Sequence, residues 1–359
     1  MSWRCGDRRA SILGGVIVLG IWLADPSIAQ AQVNDKRGQG KPTWQWRNPA
    51  LRNYTDRAVA TAPLHVAAAA GDAKQIRILV EAGTPIDAPA GKIGATALHE
   101  AVYAGNVEAV ALLLELGAQP SPRDKGGMTP LHLAGLQGDL KDAKLLLARK
   151  ADLAAANDRG MTPLHVAARE QQHDLAILFI TAGANVDALG VRRWAPIHFA
   201  ARSGDVELVA LILEKGGDLE IARPNGWTAL HHAVQSKTFE VVKLLVSKGA
   251  DVNKLTEGGV RPLHITCQVN APQIAEYLIA HGAEIDAIGG AGATPLHTCA
   301  INGQPDVAKV LLAHGANPEA RNENDLTPLG LARARPGKSD RRKQGLVEIE
   351  AVFAAHDAK

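Results

Sequence analysis

The chain has 359 residues, of which 46% are hydrophobic and only 4% aromatic, and it carries a formal net charge of +2. This length is sufficient for two ordinary domains or for one extended repeat array, and the scarcity of aromatic residues favours closely packed small helices over a large aromatic core. A charge so close to balance gives no overall electrostatic attraction for nucleic acid, so we do not expect nucleic acid as a partner.

Residues 1–31 have the three parts of a secretory signal of bacterial type. Three arginines precede the apolar run SILGGVIVLGIWLA, and Ala29 and Ala31 form an A-x-A cleavage site. We predict cleavage after Ala31 and export to the periplasm or the cell exterior. The run is shorter than the roughly 18 residues that span a bilayer, so an uncleaved membrane anchor is the weaker interpretation. The Arg8-Arg9 pair suggests twin-arginine export, but the residues after it fit that motif poorly, which favours the general secretory route.

The segment 32–57 carries six basic residues against two acidic ones, together with Trp44, Trp46 and Tyr54. We predict that its first half is a flexible linker and that its second half is an N-terminal cap on the segment that follows. A role at a membrane surface is the weaker alternative.

From residue 58 onward the sequence repeats with a period of 33 residues. The first motif of each unit is exemplified by TPLHVAARE, and a second motif, exemplified by TAGANVDA, closes the unit. Eight of the 13 histidines belong to the first motif; they are His65, His99, His132, His165, His198, His231, His264 and His297. We number the repeats one to eight by these histidines.

Because both motifs are long and recur eight times, the chain resembles the ankyrin-repeat proteins. The resemblance implies an all-α repeat solenoid of stacked helix-turn-helix units with short inter-repeat β-hairpin loops. It covers eight repeats over 58–326 and a degenerate ninth repeat over 327–359, in which Gly330 replaces the histidine. We predict that residues 340–356 form the last helix of this C-terminal cap.

Glycine closes the first helix in most repeats, because this position requires a left-handed backbone. Gln171 and Lys237 replace it in repeats four and six, and Lys150 replaces the glycine at one second-helix end. A left-handed residue with a Cβ costs about 1 kcal/mol or more, so we expect the turns at Gln171 and Lys237 to be weak points.

The motif histidines are predicted to be structural. The resemblance implies that each imidazole bonds to the threonine hydroxyl of its own motif and to backbone in the neighbouring hairpin. A metal site needs ligands that converge on one point, whereas these histidines are spread evenly along the stack. His232 has no evident partner in the sequence. Since the chain also lacks the common catalytic motifs, we predict a non-enzymatic protein with no cofactor and no metal.

Cys267 and Cys299 are the cysteines outside the predicted signal. Export to an oxidising compartment permits a disulfide between them. Equivalent helices of neighbouring repeats lie about 8–10 Å apart, however, and a disulfide requires Cα atoms within about 7 Å. The expectation is therefore two buried thiols, with the disulfide as the less favoured alternative.

Function in this architecture is expected on the concave side, on hairpin tips and first helices. Four residues before each motif histidine, an apolar row is formed by Met128, Met161, Trp194, Trp227 and Val260. Four residues after the histidine lie Tyr103, Leu136, Arg169, Arg202 and Gln235, and the tips add Arg159, Arg192, Arg193 and Asn225. Apolar side chains flanked by arginines are typical of a binding hot spot, here strongest around Arg192, Trp194 and Trp227. The alternative is that these large residues only shield the hairpins.

These observations predict an exported, non-enzymatic protein–protein interaction module. Its protein partner is unknown, and an apolar anchor surrounded by negative charge would suit the arginines. We expect no stable membrane insertion, and the oligomeric state is open. The alternatives are a secreted effector that binds a target outside the producing cell, an enzyme or metal-binding protein, and self-association through the same surface.

Overall fold

The structure is a computed structural model that describes residues 62–334 and 340–357. The predicted signal peptide and the segment 32–57 lie outside the described residues. In the described residues, helices follow one another in pairs, each joined by a short turn. They are α1 (Pro63–Ala70), α2 (Ala73–Glu81), α3 (Ala97–Ala104), α4 (Val107–Glu115), α5 (Pro130–Gln137), α6 (Leu140–Ala148), α7 (Pro163–Arg169), α8 (His173–Thr181), α9 (Pro196–Ser203), α10 (Val206–Glu214), α11 (Ala229–Gln235), α12 (Phe239–Ser247), α13 (Pro262–Val269), α14 (Pro272–Ala280), α15 (Pro295–Asn302), α16 (Pro305–Ala313), α17 (Pro328–Ala334) and α18 (Asp340–Asp357).

Local sequence fixes the ends of each helix pair, as repeat three shows. Pro130 occupies the first turn of α5, where its missing N–H has no intrahelical role. Gly138 ends α5 in the left-handed conformation, with φ of 81°. Asp139 then caps α6 by accepting hydrogen bonds from the backbone N–H groups of Lys141 (3.1 Å) and Asp142 (3.2 Å).

The core runs along the whole stack, because each helix pair buries its apolar face against the next pair. First helices pack on first helices and second helices on second helices. Leu131, Leu164 and Phe179 are among the largest fully buried side chains. The predicted all-α repeat solenoid is therefore confirmed.

The loops between repeats turn back on themselves as predicted, but they do not form strands. One backbone hydrogen bond closes each loop, for example from Asn157 N–H to the carbonyl of Met161 at 2.9 Å. Adjacent loops are also joined, as by Asp158 N–H and the Gly126 carbonyl at 3.0 Å. The arms are too short for a ladder, and the β pairing within the described residues is one isolated bridge, Ala90 with Ala95.

The ninth unit closes the C-terminal end of the stack. Helix α18 covers the segment predicted as the last helix, 340–356, and extends one residue further. Its Ile349, Val352 and Phe353 are buried, so it covers apolar surface that repeat eight would otherwise expose to water.

The glycine replacements have the predicted left-handed backbone. Gln171 and Lys237 both have φ of 58°, and Lys150 has φ of 59°. Since a Cβ in this conformation contacts its own backbone unfavourably, these turns hold local strain.

Substituting Lys237→Gly should therefore stabilise the protein. We expect the free energy of unfolding to rise by about 0.5–1 kcal/mol, because glycine removes the strain but loses more backbone entropy on folding. Urea denaturation checks this, and Lys237→Ala is the matched control, because it keeps the Cβ and should give no comparable gain. An equal gain from both variants would show that the lysine side chain, not the left-handed backbone, causes the effect.

The two cysteines form a disulfide, which corrects the expectation of two free thiols. Cys267 in α13 and Cys299 in α15 are both fully buried, and their Cα atoms are 4.5 Å apart. The expectation failed because the 8–10 Å spacing separates helix axes. Each Cα lies about 2.3 Å from its axis, so facing Cα atoms are several ångströms closer than the axes.

Candidate functional site

The motif histidines join each repeat to the next. In repeat four, His165 Nδ1 accepts a hydrogen bond from the backbone N–H of Thr162 at 3.1 Å and lies 2.9 Å from its hydroxyl oxygen. Because Nδ1 accepts from an N–H, the proton must be on Nε2, which donates to the Trp194 carbonyl at 3.0 Å. These are the two contacts that the ankyrin resemblance implies.

The same arrangement recurs along the stack, with local variations. Nε2 of each motif histidine reaches a backbone carbonyl of the following loop. Ala195 supplies no hydroxyl, yet its N–H still donates to His198 Nδ1 at 2.9 Å. Burial lowers the pKa of four motif histidines to about 4; they are His132, His165, His198 and His231. The uncharged imidazole is thus the form that these contacts require.

An aromatic cluster lies at the middle of the stack and consists of Trp194, Phe199, Trp227 and His232. The Trp194 ring stacks on Phe199 with centroids 4.5 Å apart and lies 4.7 Å from the His232 ring. Trp227 approaches His232 from the next loop at 5.1 Å. Both tryptophans keep part of their surface in solvent. The cluster therefore presents fixed aromatic edges from two neighbouring loops.

His232 is the buried centre of this cluster. It is 2% exposed, and neither ring nitrogen has a hydrogen-bond partner among the described residues. Burial lowers the pKa of His232 to about 2, and electrostatic repulsion from His198 and Arg223 contributes to the shift. His232 is thus a neutral, flat ring that fills space between the two tryptophans.

The loops and first helices of repeats four to six carry arginines that have no acidic partner among the described residues. In the part of the chain that the structure describes, none of these five forms an ion pair: Arg159, Arg192, Arg193, Arg202 and Arg223. The pKa of Arg223 is lowered by burial and further by the charge of Arg192. Positive charge is therefore concentrated here and is not neutralised within the described chain.

Arg223, which the sequence patterns did not indicate, lies nearer to the Trp194 ring than Arg202 does. Its guanidinium carbon is 4.4 Å from the Trp194 ring centroid, and that of Arg202 is 5.8 Å from the same centroid. Both distances permit cation–π attraction. Arg223 lies four residues before Trp227, on the arm of the loop. The sequence-based prediction considered only the loop tips, and including the arms would have identified Arg223.

Three predicted site residues line one depression of about 350 Å³ between the C-terminal ends of α7, α9 and α11. These are Arg169, Arg202 and Gln235, and the remaining lining residues are Gln171, Phe199, Ser203 and Ser236. Arg169 is already neutralised, because its Nη2 lies 2.7 Å from Glu170 Oε1. Arg202 is exposed and faces the depression without such a partner among the described residues.

Three other predicted partner-binding residues are buried, which corrects the expectation of one continuous exposed apolar row. Met128 is 5% exposed, Met161 2% and Leu136 5%. Equal spacing in the sequence places residues in one column, but it does not set their depth. The loops of repeats three and four turn the methionines into the core, whereas Trp194, Trp227 and Val260 are only half-buried.

The remaining predicted residues lie at the edges of this surface. Tyr103 is half-buried and lies three repeats away from the aromatic cluster. Asn225 is exposed, and its Oδ1 accepts a hydrogen bond from the Trp227 N–H at 3.4 Å. The binding role of these residues stays a prediction.

A second group of apolar side chains, which the sequence patterns did not indicate, is exposed in the loops. Leu189, Leu255 and Ile288 are all large and exposed, Ile288 by 67%, and each follows its motif histidine by 24 residues. Val191 lies exposed beside Arg192 in the same loop as Leu189. Comparing the residues 24 positions after each motif histidine, and not only those four positions before and after it, would have revealed them.

Neither a metal-binding cluster nor a membrane-spanning helix occurs among the described residues. There, no group of three or more His, Cys, Asp or Glu side chains is arranged to hold a metal ion. None of the described helices combines the length and the apolar character needed to cross a membrane.

Comparison with known proteins gives consistent matches along the stack. Family models described as ankyrin repeats match residues 64–114, 98–147, 178–256 and 253–322, and a single-repeat model matches 159–190. No curated protein matches the chain. Among solved structures, the chain is similar to the ankyrin repeat domain of Bcl-3, described as a unique member of the IkappaB protein family. The identity is 27% and the TM-score 0.54, over 61% of this chain and 98% of that one.

Proposed function

The chain belongs to the ankyrin-repeat family, and from this premise we propose that it binds a protein partner through the concave face of its stack. Ankyrin repeats indicate a protein–protein interaction module, and the fold is generally a non-enzymatic scaffold. The proposed site is the middle of the stack, where the loops and first helices of repeats four to six meet.

One observation carries the placement of the site. Arg202 and Arg223 lie beside the half-buried Trp194, and the neighbouring loops add three arginines that, like these two, form no ion pair within the described residues. Partly exposed tryptophan and arginine are the residues most enriched at energetically dominant positions of protein interfaces. Because the aromatic rings are already fixed by their neighbours, little side-chain entropy is lost when a partner binds.

We also propose that the protein is exported, with the periplasm as its destination. Two observations support this: the secretory signal predicted in residues 1–31, and the disulfide between Cys267 and Cys299, which persists in oxidising compartments. The same observations fit a secreted effector that binds a target outside the producing cell. Fractionation of the producing cell into periplasm and medium separates the two.

Replacing Arg192 and Trp194 with alanine should weaken partner capture at least tenfold. Trp194 loses its contact with the partner and Arg192 loses its charge. The measurement is affinity capture from cell-envelope extract, with bound proteins quantified for the wild type and the double variant.

Two controls make this capture interpretable. Arg192→Ala alone is the cleaner variant, because Arg192 is exposed whereas Trp194 also packs against Phe199. Arg77→Ala removes the same charge from an exposed position on α2, far along the chain from the site, and should change nothing. A partner held equally by all variants would move the site to another face of the stack.

A further inference from the structure

The depression between α7, α9 and α11 has a mostly polar lining that contains no acidic residue. Arg202 contributes a guanidinium, Gln235 an amide and Ser236 a hydroxyl, whereas the Ser203 hydroxyl already donates to the Ala200 carbonyl at 3.0 Å. Phe199 forms its apolar wall. A volume of about 350 Å³ is at the small end of the range for ligand pockets, so it suits one side chain of a partner better than a large cofactor.

Of the two arginines that line this depression, one has a carboxylate partner and the other has none among the described residues. Glu170 neutralises Arg169, with Nε and Nη2 at 2.8 and 2.7 Å from one carboxylate oxygen. Arg202 has no such carboxylate among the described residues, yet it is held near the Trp194 ring. Arg202 and Arg223 both approach that ring, so their guanidinium carbons are at most about 10 Å apart. The two guanidinium groups therefore lie within about one Debye length of each other at 0.1 M salt.

We propose that this depression binds the carboxylate of a glutamate or aspartate side chain in an extended segment of the partner. Arg202 holds the carboxylate, and the neighbouring apolar residue of the segment packs against the exposed edge of Trp194. The inference rests on the proposed function and specifies its partner chemistry: an acidic peptide segment with an apolar residue beside the acidic one.

The planar guanidinium of arginine matches a carboxylate with two parallel hydrogen bonds. One repeat away, Arg169 already holds the Glu170 carboxylate, although there both guanidinium nitrogens reach a single carboxylate oxygen. A nucleic-acid strand is less suited, because stacking of bases needs open aromatic faces. Here the faces of Trp194 are occupied by Phe199, His232 and Arg223, which leaves its edge for an aliphatic side chain.

The experiment is selection of peptides from a random 12-residue display library on the immobilised full chain, followed by titration of synthetic copies. We expect enrichment of peptides with a glutamate or aspartate beside an apolar residue. Arg202→Gln should weaken their binding at least tenfold, and Arg202→Lys, which keeps the charge, should weaken it less. Arg77→Gln, the matched change at an exposed position outside the depression, should leave binding unchanged.

The contrary results separate this inference from the proposed function. Selected peptides without acidic residues, or acidic peptides insensitive to Arg202→Gln, would overturn the carboxylate site while protein binding stands. Enrichment of no peptide would also overturn it, and the capture experiment would then test the wider surface independently. Tighter binding of an oligothymidine than of the selected peptides, lost on Arg202→Gln, would reassign the depression to nucleic acid.

Discussion

Replacing Cys267 and Cys299 together with alanine should lower the free energy of unfolding by about 3–4 kcal/mol. The disulfide joins residues 32 positions apart, and closing a loop of this length removes about that much chain entropy from the unfolded state. Urea denaturation of the oxidised wild type and the double variant measures the difference. Since repeats unfold semi-independently in such arrays, the loss should be concentrated in repeats seven and eight.

Alanine is the appropriate replacement because the repeats themselves use it. Six other repeats carry alanine at the position of Cys299, two residues after the motif histidine; they are Ala67, Ala101, Ala134, Ala167, Ala200 and Ala233. The substitution therefore removes the covalent bond and disturbs packing little. Wild-type protein treated with reductant should approach the stability of the double variant.

A thiol assay provides the contrary outcome. Wild-type protein that is purified and unfolded without reductant should show no reactive thiol from this pair. If both thiols react, the cysteines are not bonded in the isolated protein, and equal stability of wild type and variant would follow. That result would also remove one of the two supports for export.

The periodic features of the sequence predicted most of the fold, because each repeat solves the same packing problem. Thr-Pro marks the start of the first helix in several repeats, and a glycine marks its end in most repeats. The left-handed turns at Gln171 and Lys237 could be predicted because these residues replace that glycine. The histidine contacts also follow, since an imidazole with one donor and one acceptor can join two segments at a fixed spacing.

The sequence could not predict how deeply a side chain is buried, nor the distance between residues of neighbouring repeats. Met161 and Trp194 occupy the same column, yet one is buried and the other is half-buried. The prediction of two free thiols failed for a related reason, because the distance between helix axes was compared with the limit on the Cα–Cα distance of a disulfide. The importance of Arg223 depends on its distance from Trp194, which no spacing within one repeat reveals.

Acid should unfold the protein between pH 6.5 and pH 4, and the buried histidines should be the main cause. Burial lowers the pKa of five of them far below the 6.5 of an unfolded chain: to about 4 for His132, His165, His198 and His231, and to about 2 for His232. The unfolded state therefore binds more protons in this range, so stability is complete above pH 6.5 and falls as the pH drops.

The expected loss is large. At pH 5 each of these histidines opposes folding by about 2 kcal/mol relative to pH 7.5, and five such losses are comparable with the 5–15 kcal/mol that stabilises a typical domain. His173 acts in the opposite direction, because its hydrogen bond to Asp205 raises its pKa, but it is a single, more exposed group. Circular dichroism during urea titration at pH 7.5, 6 and 5 measures the fall.

His165→Gln assigns the effect to the motif histidines. A glutamine side chain supplies one donor and one acceptor group but does not titrate, so it partly replaces the contacts to Thr162 and Trp194. We expect a loss of about 1–3 kcal/mol at pH 7.5 and a shallower fall towards pH 5, by one proton. His281→Gln, at an exposed position outside the motif, is the control, and its loss at pH 7.5 should be smaller than that of His165→Gln. If His165→Gln has the wild-type pH slope, protonation of the motif histidines does not drive acid unfolding, and the ionised carboxylates become the remaining cause.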